Sequence, residues 1–491
     1  MSTERTDFKV LIIGAGMSGI CTAIQLQRLG IDYAILEREP GLGGTWFNNT
    51  YPGSGCDVPS RLYSFSFARN PEWTRVYSRQ PEILQYFEEL ARQHGITERI
   101  RHGSEVRSAR FDERTGGWSV ECGDGSQHEG NVLVSACGQL NRPYTPDFPG
   151  MAEFSGVSFH SAEWDHGADL SGKRIVAIGA GASAIQYLPE IAPDAGALTI
   201  FQRSPNWIIP KPDGEISALK KWMYRYLPFF DTFERYLTYW LLEKNFPAFH
   251  KIGGFNRYFA SQAQKHLEES IEDPGLREKL LPDYPIGCKR ILISDDYYPM
   301  LLRDNVNLVT EAVERITPEG VIAADGALHP ADVIIYGTGF QTTNFLSHLD
   351  IRGLDGLTLA EAWADGPDAH RGVQVSGFPN FFMLYGPNTN LGHNSIIFMV
   401  EQQVRYLIQC VKTLRRRPGS YLDVRPEAQQ SFVESLRQRM DGTVWQGGCQ
   451  SWYKTADGHV TNNWPSSTLS FWWQLRKLHL SEMNLHPPQP G

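Results

Sequence analysis

The sequence predicts an α/β fold: two Rossmann-like dinucleotide-binding domains with a helical insertion. Three observations predict it. The N-terminal stretch FKVLIIGAGMSGICTAIQLQRLGIDYAILERE reads as a buried strand, a glycine turn, an amphipathic helix and a second strand ending in acid. KRIVAIGAGASAIQYLPEIAPDAGALTIFQRS repeats the unit much later, at a period far too long for a solenoid. At 491 residues the chain also exceeds what one ordinary core accommodates.

In chain order, Phe8 to Ile13 is the first strand. Thr115 to Gly130 is polar and turn-rich, as in a small antiparallel sheet, and Asn131 to Ala136 is again strand-like. The proline-rich connector from Arg142 to Gly150 is the candidate hinge. From about Leu219 to Leu281 the pattern turns helical, and in its first half aromatic. Asp332 to Phe340 returns to strand, a helix is expected from about Ser395 to Leu414, and the tail Pro487 to Pro490 should fray. These signals divide the chain into a first domain over 1–145 and 336–491, a second over 146–214 and 286–335, and an insertion over 215–285.

A net charge of −9 argues against a polyanionic partner, since nucleic-acid binders present a basic face, and favours a small-molecule substrate. The seven cysteines are scattered, without a CxxC pair or zinc spacing, and are expected to be unpaired thiols in a reducing compartment. No stretch reads as a signal peptide or spanning segment, so a cytoplasmic location is expected.

Gly14, Gly16 and Gly19 stand where the first strand turns into helix, as a pyrophosphate-binding turn requires: a tight turn, close backbone approach, and close helix packing. The next strand ends in Glu37, placed to accept from ribose hydroxyls. In the second copy Gly179, Gly181 and Ala184 take the three positions, and Gln202, followed by Arg203 and Ser204, replaces the acid. A carboxylate repels a 2′-phosphate, whereas a guanidinium beside a hydroxyl binds one. One site suited to FAD and one to NADPH is therefore the expectation. With no cysteine pair to receive electrons from a flavin, oxygen or a bound acceptor remains.

FSGVSFHSAEWD, with Phe154, Gly156, His160, Trp164 and Asp165, resembles the FxGxxxHxxxW(P/D) signature of type I Baeyer-Villiger monooxygenases. GGTWFNNTYPGSGCD resembles a second pattern of that family, and the similarity continues through CKRILISDDYY, DVIIYGTGF, GPNTNLGHNSIIFMVEQQ and CQSWY. The resemblance implies that reduced FAD forms a peroxyflavin with O2 and inserts one oxygen atom beside a ketone carbonyl. It implies that Arg290 stabilises the anions formed and that Asp57 pairs with it. Read without the resemblance, Arg290 is a surface cation and Asp57 a helix cap. The resemblance further implies that Gly44, Thr45, Trp46, Asp57, Tyr63, Val106 and Ser183 contact the cofactors, and that Lys289 helps hold the NADP 2′-phosphate. Thr338 and Gly339 are implied beside both cofactors, with Gly337 where alanine is usual, a change expected only to loosen the turn. Trp452 is implied to cover the nicotinamide, or else packs in the core. His160 reads as a structural histidine. The YKTADGHVTNNWP loop resembles the branch acting on aryl and other bulky ketones rather than the cyclohexanone branch. Sulfide or amine oxygenation and a flavin-binding sensor without turnover remain as alternatives.

The aromatic run from about Leu219 to Phe259 fits helical core, a substrate lid or a membrane patch. Lys220, Lys221, Arg225 and Arg235 favour lipid, but Asp231, Glu234 and Glu243 oppose it, so membrane contact is not expected.

Overall fold

The computed structural model describes residues 8–250, 254–343, 346–449, 451–455 and 457–487. The tail beyond Pro487 lies outside them, as do Gln450 and Ala456. Two five-stranded parallel sheets organise the molecule. The first runs in the order Phe381–Met383, Val132–Ser135, Lys9–Ile13, Asp32–Leu36, Ile100–Arg101. The second runs Val306–Val309, Ala197–Phe201, Arg174–Ile178, Val333–Tyr336, Val157–His160. Helices and connections cover both faces, which is why the central strands KVLII, VLVS and VIIY are continuous apolar runs.

Each glycine-rich strand lies inside its sheet, with the following strand on one side and a strand from much later in the chain on the other. The order reverses there, so the turn opens into a crevice at the carboxyl ends of the strands, where nucleotides bind in doubly wound folds. The helices after the two turns are Met17–Arg28 and Ala184–Ile191. Ile396–Arg415, capped by the Ser395 hydroxyl accepting from Ile397 N, packs on the first of them.

The antiparallel sheet expected from Thr115 begins earlier, at Val106–Asp112, and gains a parallel strand from Asp350–Arg352. A register read from one contiguous segment could not include that distant strand. The Arg142–Gly150 connector runs beside the return crossing: Tyr144 N donates to Gly339 O at 2.8 Å, and Gln341 N to Arg142 O at 2.9 Å.

Cys288 and Cys449 form a disulfide across 161 residues, with Cα atoms 6.3 Å apart. This corrects the expectation of seven unpaired thiols; two segments with no local signal are brought together by the fold. The other five cysteines are free.

The insertion forms helices Ala218–Tyr226, Pro228–Glu243, Phe255–Ser270 and Pro274–Leu280. Pro228–Glu243 turns its charged face inward. Asp231 pairs with Arg61 and with Arg69, and Arg235 donates to the Arg61 and Ser64 carbonyls. Glu243 accepts from Thr468 N, Thr468 Oγ1 and Asn394 Nδ2 at 2.7–2.8 Å. These acids therefore contribute little to the outer surface.

Candidate active site

Both glycine turns open onto one cleft of about 660 Å³. On its first wall Gly14 adopts φ 103°, and a Cβ there would lie 2.8 Å from Ala136 O, so only glycine fits. Gly19 packs helix against turn, since a Cβ on it would meet Gly14 O at 2.0 Å. Gly16 and Gly44 face each other; a Cβ on Gly44 would reach Gly16 Cα at 3.0 Å, which leaves a narrow backbone cradle. Glu37 is buried, its Oε2 accepting from Ala15 N at 2.6 Å and its Oε1 from Glu39 N at 2.9 Å. Burial pushes its carboxyl upward, against these two bonds. Each oxygen keeps lone-pair capacity for a ribose hydroxyl. Thr45, Trp46, Tyr63 and Val106 also line the cleft, and Trp46 Nε1 donates to Tyr63 Oη at 3.1 Å.

On the second wall, nothing lies within 4 Å of the Cβ position of Gly181, so its backbone faces open space, with Ser183 beside it on the lining. Gly179 and Ala184 sit behind the surface, the latter fully buried in the helix packing. Gln202 is buried and accepts from Tyr297 Oη at 3.0 Å; the position homologous to the acid has become core. Just beyond it, Lys289 Nζ donates to Ser204 Oγ at 2.6 Å and lies over the Tyr284 ring. Burial and then neighbouring Arg203 pull the lysine below its ordinary pKa. Arg203 and Ser204 lie beside the cleft rather than on its lining.

Between the walls stands Arg290. Its Nε and Nη2 donate to Asp57 Oδ2 at 2.9 and 2.5 Å, and both side chains are about one-third exposed, toward the cleft. Asp57 holds the guanidinium above its ordinary pKa, outweighing the opposing effect of burial. No helix begins at Asp57, so the capping role does not apply. Two residues not foreseen from the sequence, Tyr385 and Tyr453, stand near enough to couple to Arg290. Tyr385 has φ 58° and donates to Asn390 Oδ1 at 2.7 Å, while burial pushes Tyr453 up to about 12. The signal for Tyr385 was its place immediately before GPNTNLGHN.

Thr338 Oγ1 donates to Tyr144 O at 2.5 Å, which fixes the Arg142–Gly150 connector beside Gly339. Gly337 is not a loosening change. A Cβ there would press on Tyr187 Oη at 3.0 Å, and its carbonyl lies 2.4 Å from the Cβ position of Gly179. His160 Nδ1 accepts from Ala162 N at 3.1 Å, and burial lowers its pKa, so it is a neutral capping residue. Trp164 packs on Phe159 and Tyr187. Also unforeseen, Gln186 of the second fingerprint helix accepts from Tyr51 Oη at 3.0 Å and donates to Gly55 O at 3.0 Å, tying that helix to the Tyr51–Gly55 segment. Trp452 lines the cleft with its ring tilted on Tyr453, and its carbonyl accepts from Thr342 and Asn462.

Two pyrophosphate-type turns facing one cleft, with a fixed guanidinium between them, define an oxidoreductase built to hold two dinucleotides. A family profile described as pyridine nucleotide-disulphide oxidoreductase matches residues 11–227. A Baeyer-Villiger monooxygenase of Streptomyces coelicolor is 43% identical over 98% of this chain and 93% of its own. Another, from Pseudomonas aeruginosa, is 41% identical over 97% and 92%. Among solved structures, an oxidized steroid monooxygenase bound to NADP superimposes with a TM-score of 0.87 at 29% identity, covering 98% of this chain and 99% of that one. OTEMO in complex with FAD and NADP gives 0.88 at 28%, covering 98% and 100%. The chain belongs to the Baeyer-Villiger monooxygenase family.

Proposed function

We propose that this FAD- and NADPH-dependent Baeyer-Villiger monooxygenase uses Arg290, oriented by Asp57, as its catalytic cation, and acts on aryl or other bulky ketones. The observation that carries the reading is the Arg290–Asp57 pair standing in the cleft between the two glycine turns. The residues fit the cofactors: the Gly16–Gly44 cradle admits a pyrophosphate where any side chain would block it, and Glu37 presents a carboxylate beside it.

Bound there, FAD reduced by NADPH supplies the O2 activation through which one oxygen atom enters beside the ketone carbonyl. The chain's own part is electrostatic and positional. Arg290 is a permanent positive charge, and Asp57 fixes its orientation before substrate arrives, so little reorganisation is needed as negative charge develops. Arg203, Ser204 and Lys289 form a cationic, hydroxyl-bearing pocket for the 2′-phosphate, while Trp452 closes the cleft on the nicotinamide side. Thr338 and Gly339 sit where the two domains meet.

Residues 1–145 and 336–491 form the FAD domain in this reading, 146–214 and 286–335 the NADP domain, and 215–285 the insertion. The loop from Tyr453 to Pro465 supports the bulky-ketone branch. Five free thiols favour a cytoplasmic setting, whereas the Cys288–Cys449 disulfide counts against a reducing compartment. Turnover of a panel of aryl and cyclic ketones beside a thioether, with products identified by mass, tests the whole. Esters from the ketones are expected; sulfoxide alone, or NADPH consumption with no oxygenated product, overturns it.

A further inference from the structure

We propose that the helical insertion is a peripheral docking surface for an anionic lipid bilayer. In Pro228–Glu243, Phe229, Phe233, Tyr236, Leu237 and Trp240 recur on one helical face, and all are exposed, Phe229 to 90% and Trp240 to 53%. On the other side Asp231 is only 6% exposed and, like Arg235 and Glu243, is engaged by the protein. A surface helix of a water-facing protein has the reverse arrangement.

Neighbouring helices extend the apolar surface. Ala218–Tyr226, joined through the stacked rings of Tyr224 and Phe230, exposes Trp222 and Tyr226. Thr468–Leu475, held to Glu243 through Thr468, exposes Leu469 and Trp473. Apolar area on this scale, on a chain with no need to expose it, marks an interaction surface.

Charge identifies the partner. From 216 to 264, among the described residues, the exposed charged side chains are Lys220, Arg225, Lys244 and Arg257; Lys220 pairs with Glu234 and Arg225 with Glu72, which leaves Lys244 and Arg257 as the unpaired cations of this face. The exposed acids of the insertion, such as Glu215, Glu268, Glu269, Glu272, Asp273 and Glu278, fall outside this stretch. Tryptophan and tyrosine with a basic rim suit the boundary between headgroups and acyl chains, and the attraction is to anionic lipid. A second copy meeting the same face would oppose cation to cation. No helix among the described residues is long and apolar enough to cross a membrane, so the surface lies on the bilayer. The sequence argument against lipid contact rested on Asp231, Glu234 and Glu243. Asp231 and Glu243 are buried, and Glu234 is spent on Tyr224 and Lys220. Glu243 also accepts from Asn394, which lines the cleft, so the docking helix is tied directly to the cleft wall.

Flotation of the FAD-loaded enzyme with vesicles of phosphatidylcholine and phosphatidylglycerol in equal amounts tests this, with phosphatidylcholine vesicles alone as the control. The enzyme should float with the mixed vesicles only. The variant Phe229→Ser/Phe233→Ser/Trp240→Ser should lose about tenfold in lipid-bound fraction, with flavin content and NADPH oxidation kept. Lys244→Glu/Arg257→Glu, at exposed positions that leave the apolar face intact, should weaken binding in the same direction. An enzyme that stays with the soluble fraction overturns the proposal, as does equal flotation of either variant. So does a dimer in vesicle-free buffer that the triple variant converts to monomer, which would assign the face to a second copy.

Discussion

A single oxygen of Asp57, Oδ2, accepts from both Nε and Nη2 of Arg290, across 233 residues of sequence. Nη1 takes no part in the pair, so the cation is anchored on one edge. Arg290→Ala should still allow NADPH to bleach the flavin but lower kcat for ester formation by about 10²–10³-fold. Because Asp57 raises the guanidinium pKa further, no limb of the pH–rate profile should belong to Arg290. Stopped-flow reduction alongside product analysis separates the half-reactions; ordinary turnover by the variant refutes the role.

Lys289 and Ser204 are 2.6 Å apart, with Arg203 close enough to depress the lysine's pKa. Arg203→Ala and Lys289→Ala should each raise KM for NADPH about tenfold, the scale of losing a charge-assisted contact to phosphate, and leave KM for NADH unchanged. An unaltered NADPH/NADH preference in both variants would remove these residues from the 2′-phosphate site.

Burial pushes the Asp423 carboxyl up to about 7, even with Gly377 N donating to it at 3.0 Å. The folded value lies above the ordinary 3.8, so the protonated form favours folding. Its contribution is complete below that ordinary value and is lost as pH rises toward about 7. Asp423→Asn, the neutral isostere, should therefore gain stability relative to wild type across this window, on the order of 1–3 kcal/mol. Parallel melting curves with pH would contradict this.

Of seven cysteines, two are joined as Cys288–Cys449, immediately before Lys289 and three residues before Trp452. Alkylation of the denatured, unreduced protein should label five thiols, and prior reduction should raise the count to seven. Seven labelled without reductant would exclude the bond.

The glycine turns, Glu37 and the helix after Ser395 were legible because their determinants are local: backbone conformation, capping and periodicity act within a few residues. The Arg290–Asp57 pair was legible only through resemblance, since nothing local distinguishes it from a surface cation and a helix cap. Gln202 shows the limit of alignment by offset, because the position matches Glu37 but the side chain is held by Tyr297 in the core. Gly337 likewise looked permissive until Tyr187 and Gly179 were seen against it.

By itself, then, the sequence determined two nucleotide-binding units and their order, because a strand–turn–helix needs only its own residues. Tertiary structure decided which face of Pro228–Glu243 turns outward, which cysteines meet each other and which tyrosines surround Arg290. Those outcomes depend on partners far along the chain, such as Arg61, Thr468 and Cys449, whose proximity exists only once the sheets and insertion have packed.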